Sequence, residues 1–344
     1  VEDYYKAEGL IALSVPATEH AVTSNNILSI EAALQAGTYQ FLSGEQYTIY
    51  ATMVANGEEL RLIAEVMFVY RLITEIAATG IVSNVSDTYD FWAMLTRGYK
   101  YLKDIILNRK DNAIGLAKVV VRPDSGDPVK VVCGYKLLDI QATNFSGSYA
   151  DVVALGYDGV ISYGVAKELD KKGKVVREIP EHEVKGAIEV LWDIFGGEVN
   201  EAGYKVLDRH IGLIYGDSIT TQRAVTILDG LGKKGFASCN VVFGIGSYTY
   251  QCNTRDTFGF AVKATYSVVD GEPVNIFKDP KTDSKKKSAK GLLFVGYNTD
   301  AGKVLYDQVP PEEEASEENH LKTRFKDGMF VNQTTLEEVR QRLA

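Results

Sequence analysis

Val119-Val120-Val121-Arg122-Pro123-Asp124-Ser125-Gly126-Asp127-Pro128 joins a short apolar strand to a polar lip. Three consecutive β-branched residues predict a strand buried on both faces, as in a parallel sheet covered by helices. Pro123 cannot donate to a sheet ladder, so the strand stops at Arg122. Asp124, Ser125 and Gly126 then supply a carboxylate, a hydroxyl and a backbone free to take positive φ. A buried strand that delivers an arginine and an aspartate at its C-terminal lip reads as a site. The same residues also fit an ordinary strand–turn with a surface ion pair, and the rest of the chain must decide.

Working outward, Leu10–Val15 is an apolar run ended by Pro16 and followed by Glu19 and His20. Helical spacing marks Ile27–Ala36 and Leu60–Ala78, with Gly80 as the second helix's C-cap. The strand Ile81–Val85 leads to Asp87, placed to cap a helix over Phe91–Tyr101. Further strands follow at Ile211–Tyr215, Asn240–Phe243 and Phe260–Val269, the last carrying Lys263 among apolar neighbours. Helices are expected at 186–195, 221–231 and 336–343. Between them, Cys133–Lys185 is rich in Tyr, Gly and β-branched residues, and Leu169–Val176 has a hairpin signal. This is an inserted antiparallel excursion. The expected division is residues 1–132 and 200–280 as two parts of one barrel-like catalytic domain, 133–199 as the excursion, and 281–344 as C-terminal loops and a helix.

The strand ends share a chemistry. His20, Asp87, Arg122 with Asp124, Asp217, and Gly246 with Ser247 each follow an apolar strand, and helices intervene. An α/β chain of this kind predicts a (β/α) barrel, whose chemistry sits at the C-terminal strand ends. A doubly wound sheet would gather such groups at one switch point. The strands are fewer than the eight of a closed barrel, and the remainder are expected upstream of Val1, where the sequence begins mid-pattern without an initiator Met. Gly244-Ile245-Gly246-Ser247 can present backbone N–H groups to a phosphate, with Arg255 and Lys263 nearby in sequence as cations. Asp124 and Asp217 suit ribose hydroxyls or a Mg²⁺ ion carried by pyrophosphate.

Composition narrows the field. The 344 residues are 45% hydrophobic and 24% charged, which suits a globular protein with a substantial core. Their net charge of −9 argues against a general nucleic-acid binder, so any phosphate ligand needs a local cationic cluster. The scattered Cys133, Cys239 and Cys252 show no metal spacing and read as free thiols of a reducing, cytoplasmic compartment. No apolar run is long enough to span a membrane.

Several segments, in this order, closely resemble the nicotinamide-specific branch of the type II phosphoribosyltransferases. They are Ser14-Val15-Pro16-Ala17-Thr18-Glu19-His20, Val85-Ser86-Asp87-Thr88-Tyr89-Asp90, Arg122-Pro123-Asp124-Ser125-Gly126, Tyr215-Gly216-Asp217, Phe243-Gly244-Ile245-Gly246, Thr254-Arg255-Asp256 and Asn275-Ile276-Phe277-Lys278-Asp279-Pro280. The resemblance implies a barrel-like fold, a homodimer, and transfer of phosphoribose from phosphoribosyl pyrophosphate to nicotinamide, with Mg²⁺ and with ATP as an activating co-substrate. It implies that His20 is phosphorylated and that Asp87 orients it. By the same likeness Arg122 lies beside the pyridine ring and Asp124 near the ribose. Gly216 and Asp217 touch the ribose, Gly246, Ser247 and Arg255 cradle phosphate, and Lys263 and Lys278 flank it. Ser247 and Tyr248 depart from the family's run of glycines, which narrows the cradle. The family's N-terminal part, which selects amide over acid, is not matched. Two alternatives follow: a nicotinate phosphoribosyltransferase, or a non-catalytic half completed by a separate polypeptide.

Overall fold

The structure is a computed structural model that describes residues 15–216, 219–244, 262–280 and 287–343. It divides into two compact units, one of Val1–Val262 with Lys278–Lys287, the other of Lys263–Phe277 with Ser288–Ala344.

The first unit is built on a parallel sheet. The chain runs through β1 (Gly80–Val85) and β2 (Ala117–Arg122) into an excursion of β3 (Leu137–Asp139), β4 (Gly159–Ser162), β5 (Val165–Leu169) and β6 (Val175–Glu178). After a ribbon of β7 (Gly197–Val199) and β8 (Lys205–Leu207) it returns as β9 (Ile211–Tyr215) and β10 (Val241–Phe243). The main sheet has the order β1-β2-β9-β10, with every pair parallel. Val119 and Val121 of β2 oppose Ile211 and Leu213 of β9, and all four are essentially sealed from solvent. Burial of each such side chain contributes about 1.5–3 kcal/mol. The Val119–Val121 run is therefore the centre of the sheet, as its composition predicts. At the β1 edge, Ala17 makes one further parallel bridge to Ser83, and the Thr18 N–H donates to the Ser83 carbonyl at 2.9 Å. Among the described residues the sheet stays open; no closed barrel is formed.

The helix Ala187–Phe195 packs against β9, and the N-terminal helices pack on one another. In α1 (His20–Ala36) the Glu19 side chain caps the first turn by accepting from the Ala21 N–H, and Gly37 closes it at φ 68°. The helix α2 (Gly44–Ala55) follows, then α3 (Leu60–Arg71), in which Leu62 through Tyr70 are all buried. The apolar stripe read from the sequence is thus only part of a helix enclosed on all sides. It runs on as a π-helical turn, Leu72–Ile76, and Gly80, at φ 75°, opens β1 rather than capping the helix. The cap comes instead from Arg109, whose guanidinium donates to the carbonyls of Ile73 (2.5 Å), Ala77 (2.8 Å) and Gly80 (3.1 Å).

In the excursion β3 and β4 pair in parallel while β4-β5-β6 are antiparallel, so this sheet is mixed rather than purely antiparallel as expected. The hairpin expected at Leu169–Val176 is present. Leu138, Val152, Val160 and Leu169 form its own small core. In the second unit Tyr266–Val269 pairs antiparallel with Glu272–Asn275, so the expected strand Phe260–Val269 is shorter, at least over the described residues, and lies outside the parallel sheet. A second hairpin pairs Leu293–Asn298 with Gly302–Asp307, and the C-terminal helix Leu336–Leu343 is as expected. No helix among the described residues is long and apolar enough to cross a membrane.

Candidate active site

Parallel pairing puts the C-terminal ends of β1, β2, β9 and β10 along one edge. Asp87 follows β1, Arg122 ends β2 and is followed by Asp124, and Gly216 and Gly244 follow β9 and β10. His20 joins them because Thr18 is stitched to β1: its backbone pairs with Ser83, and its hydroxyl accepts from the Val85 N–H at 2.8 Å. The first turn of α1 therefore starts beside the end of β1.

His20 is the hub. Its Nδ1 lies 3.3 Å from the Thr88 hydroxyl and its Nε2 2.9 Å from the Lys278 ammonium. The same Nε2 is 3.7 Å from Asp87 Oδ1 and 3.6 Å from Asp124 Oδ2. Asp87 is almost completely buried, and its Oδ2 accepts from the Asp124 N–H at 3.0 Å, tying the β1 lip to the β2 lip. Its Oδ1 has no hydrogen-bond partner among the described residues. The expectation that Asp87 caps the next helix is corrected: Asp90 does so, accepting from the Ala93 N–H, which leaves Asp87 to the site. Asp124 sits among His20, the Arg122 guanidinium and the Lys278 ammonium, which together hold its carboxyl down to about 2 against the cost of burial. Asp124 is thus an anion at any ordinary pH.

The lip after β2 is built to stay in place. Gly126 takes φ 90°, and the Tyr215 hydroxyl, at the end of β9, donates to the carbonyls of Ser125 (3.0 Å) and Gly126 (3.1 Å). Asp127 then caps the helix Pro128–Cys133 by accepting from the N–H groups of Val129 and Lys130. Arg122 Nε is buried without a hydrogen-bond partner among the described residues, an orphan donor beside Asp124. Gly216 and Gly244 approach so closely that a Cβ on Gly244 would stand 2.8 Å from the Gly216 Cα. Only glycine fits there.

Of the residues singled out in the sequence, His20, Asp87, Asp124 and Lys278 converge directly, with Arg122 on the same lip as Asp124. Gly216 lies at the same sheet edge. Lys263 belongs to the second unit and is exposed, preceding its strand rather than sitting within one. Asp217, Gly246, Ser247 and Arg255 fall outside the described residues. Sequence reading does not single out Thr18 and Thr88, although both lie inside the family-like segments, because a threonine next to a charged residue carries no signal of its own. It also passes over Glu65, an acid in the middle of the apolar face of α3.

Glu65 is buried, with Oε1 unpartnered among the described residues. Burial, reinforced by the negative charges of Asp87 and Asp90, raises its carboxyl from 4.5 to about 8, so it is protonated in the folded protein at neutral pH. The unfolded chain loses that proton above its ordinary value while the folded chain keeps it until about 8, so stability falls across this interval as pH rises. Glu65→Gln removes the slope. It is expected to stabilise by on the order of 1–3 kcal/mol at pH 7 and to give no gain at pH 4. Urea unfolding at the two pH values checks this; an equal effect at both would show that Glu65 does not carry the proton.

A strand-end cluster of a histidine, two carboxylates, an arginine and a lysine on a parallel α/β sheet suits an enzyme that positions an anionic substrate. The chain belongs to the nicotinate phosphoribosyltransferase (NAPRTase) family, whose pattern it matches over residues 6–329. It is 44% identical, over its whole length and 53% of the relative's, to a nicotinamide phosphoribosyltransferase of Acinetobacter baylyi. It is 32% identical over 70% of its length to the protein of that name from Mycoplasma pneumoniae, covering 43% of the latter. With the one from Xanthomonas campestris the figure is 29% over 98% of the chain and 61% of the relative. The chain spans about half the length of the curated relatives it matches.

Proposed function

We propose that this chain carries the catalytic strand ends of a nicotinamide phosphoribosyltransferase, transferring phosphoribose from phosphoribosyl pyrophosphate to nicotinamide and releasing pyrophosphate. The observation that carries the reading is the convergence of His20, Asp87, Asp124 and Lys278 at one sheet edge, with Arg122 on the Asp124 lip. The names of the relatives favour the amide over the acid as substrate.

Breaking the anomeric C–O bond builds positive charge on the ribose and negative charge on the departing pyrophosphate. Catalysis of such a step is chiefly positioning and charge stabilisation. Asp124, held ionised, suits the ribose side; Arg122 offers a planar cation that can stack on a pyridine ring. Lys278 suits the phosphate side, and by the resemblance Gly246, Ser247 and Arg255 are further candidates for binding phosphate, with Lys263 a flanking cation. Gly216 and Asp217 are proposed to touch the ribose. A Mg²⁺ ion arriving on the pyrophosphate would take one carboxylate from the protein, Asp124 or Asp217, and would supply charge neutralisation when bound. Phosphorylation of His20 by ATP, a homodimer, closure of the sheet into a barrel and a cytoplasmic setting belong to the same proposal.

The test is an assay for mononucleotide and pyrophosphate with nicotinamide and nicotinic acid in parallel. Turnover of nicotinamide at least tenfold above nicotinic acid supports the reading. A preference for the acid would make the chain a nicotinate enzyme, and turnover of neither, even in a full-length protein, would refute both.

A further inference from the structure

The contacts of His20 fix more than its position. An ammonium has three donors and no acceptor, so Lys278, 2.9 Å from Nε2, requires a lone pair on that nitrogen. A neutral imidazole carries its proton on one nitrogen only, so Nδ1 bears the hydrogen and donates to the Thr88 hydroxyl at 3.3 Å. Thr88 is completely buried. It is flanked by Asp87, which holds the Asp124 N–H, and by Tyr89, whose hydroxyl meets Ser24 Oγ at 2.8 Å. Ser24 stands one turn after His20 on α1, so the helix docks on this loop at two points, His20–Thr88 and Ser24–Tyr89. Thr88 therefore cannot drift away from Nδ1 without moving the helix start.

We propose that Thr88 is a positioning residue which, with Lys278, holds His20 as the neutral Nδ1–H tautomer, making Nε2 the nitrogen that faces the ligand space between Asp87, Asp124 and Lys278. The role goes beyond the phosphoribosyl reading, on which only its consequence for turnover rests. Thr88→Val keeps the shape and removes the acceptor, so Nδ1–H is left unpaired and the proton is expected to populate Nε2, where Asp87 and Asp124 can accept it. Lys278→Met removes the donor to Nε2 and is expected to shift the population the same way from the other side.

The experiment is ¹⁵N NMR of the imidazoles in the 344-residue chain at pH 8, with His20 assigned by its loss in His20→Asn. The wild type should show the Nδ1–H pattern, Thr88→Val and Lys278→Met a redistribution toward Nε2–H, and Thr88→Ser the wild-type pattern. A wild-type His20 that is Nε2–H or doubly protonated overturns the proposal, as does a Thr88→Val spectrum identical to wild type. If Thr88→Val fails to fold, Lys278→Met and Thr88→Ser decide it. In turnover, Thr88→Val should lower kcat about tenfold with KM for phosphoribosyl pyrophosphate within about twofold, and Thr88→Ser should recover it. An intact tautomer pattern with no turnover of either pyridine, even in a full-length protein, refutes the phosphoribosyl reading alone; normal turnover with the wrong tautomer refutes this one alone.

Discussion

His20→Ala is expected to lower mononucleotide formation by about 10²-fold or more, with the folded state intact. The size follows from what the ring holds: it bridges the Asp87–Asp124 pair and Lys278, and a misplacement of about 1 Å at such a site costs about 10² in rate. Its removal should leave the fold nearly untouched, because α1 keeps its cap on Glu19 and its bond from Ser24 to Tyr89. Asp87→Ala should fall by a similar amount, since Asp87 both faces the imidazole and anchors the Asp124 lip. The two losses should not add: groups that act as one unit give a double variant little worse than either single one. Steady-state kinetics of the two single variants and the double variant measure this. A fully multiplicative double variant, or wild-type rates in His20→Ala, would remove His20 from the reacting assembly.

Arg109→Met is expected to destabilise the first unit by about 3 kcal/mol without altering the active site directly. Its side chain is buried and its partners are carbonyls, those of Ile73, Ala77 and Gly80, where the π-helical turn gives way to β1. These acceptors lie at a helix C-terminus, where the partial negative charge of the backbone favours a cation. Burial works against the charge and lowers the Arg109 pKa, yet a guanidinium stays protonated. Methionine fills much of the volume but leaves the carbonyls unpaired, each at a cost of about 1–3 kcal/mol if water cannot reach it. For a unit of this size the midpoint of thermal unfolding should drop by about 6–12 °C. Calorimetry or circular dichroism checks this; a shift under about 2 °C would mean that water replaces the guanidinium.

The parallel sheet was legible in the sequence because its strands are short runs rich in β-branched or aliphatic residues, three of them stopped by Pro123, Gly216 or Gly244. Ile211–Tyr215 and the Val119–Arg122 run needed no tertiary information to recognise. The helix boundaries were less legible. Gly80 reads as a C-cap, but the capping is done by Arg109, far along the chain, and no local pattern announces that. Asp87 and Asp90 both suit a helix start; only the position of β2, which offers the Asp124 N–H to Asp87, separates their roles. Lys263 reads as part of a strand because its neighbours are apolar, and an apolar run alone cannot tell a strand of the main sheet from the approach to a separate hairpin. The charged members of the site were visible as strand-end residues, whereas Thr18, Thr88 and Glu65 depend on which side chain stands opposite, a three-dimensional fact.

The contacts that define the site are separated by very different lengths of chain. Thr88 lies 68 positions from His20, while Lys278 lies 258 positions away. Closing so large a loop is entropically slow, and its reward comes only after the strands between are in register. The His20–Lys278 contact should therefore be among the last to form during refolding, after the sheet has acquired its secondary structure. Regain of turnover would then lag behind regain of the circular dichroism signal, and catalysis would serve as a clock for the final step of folding.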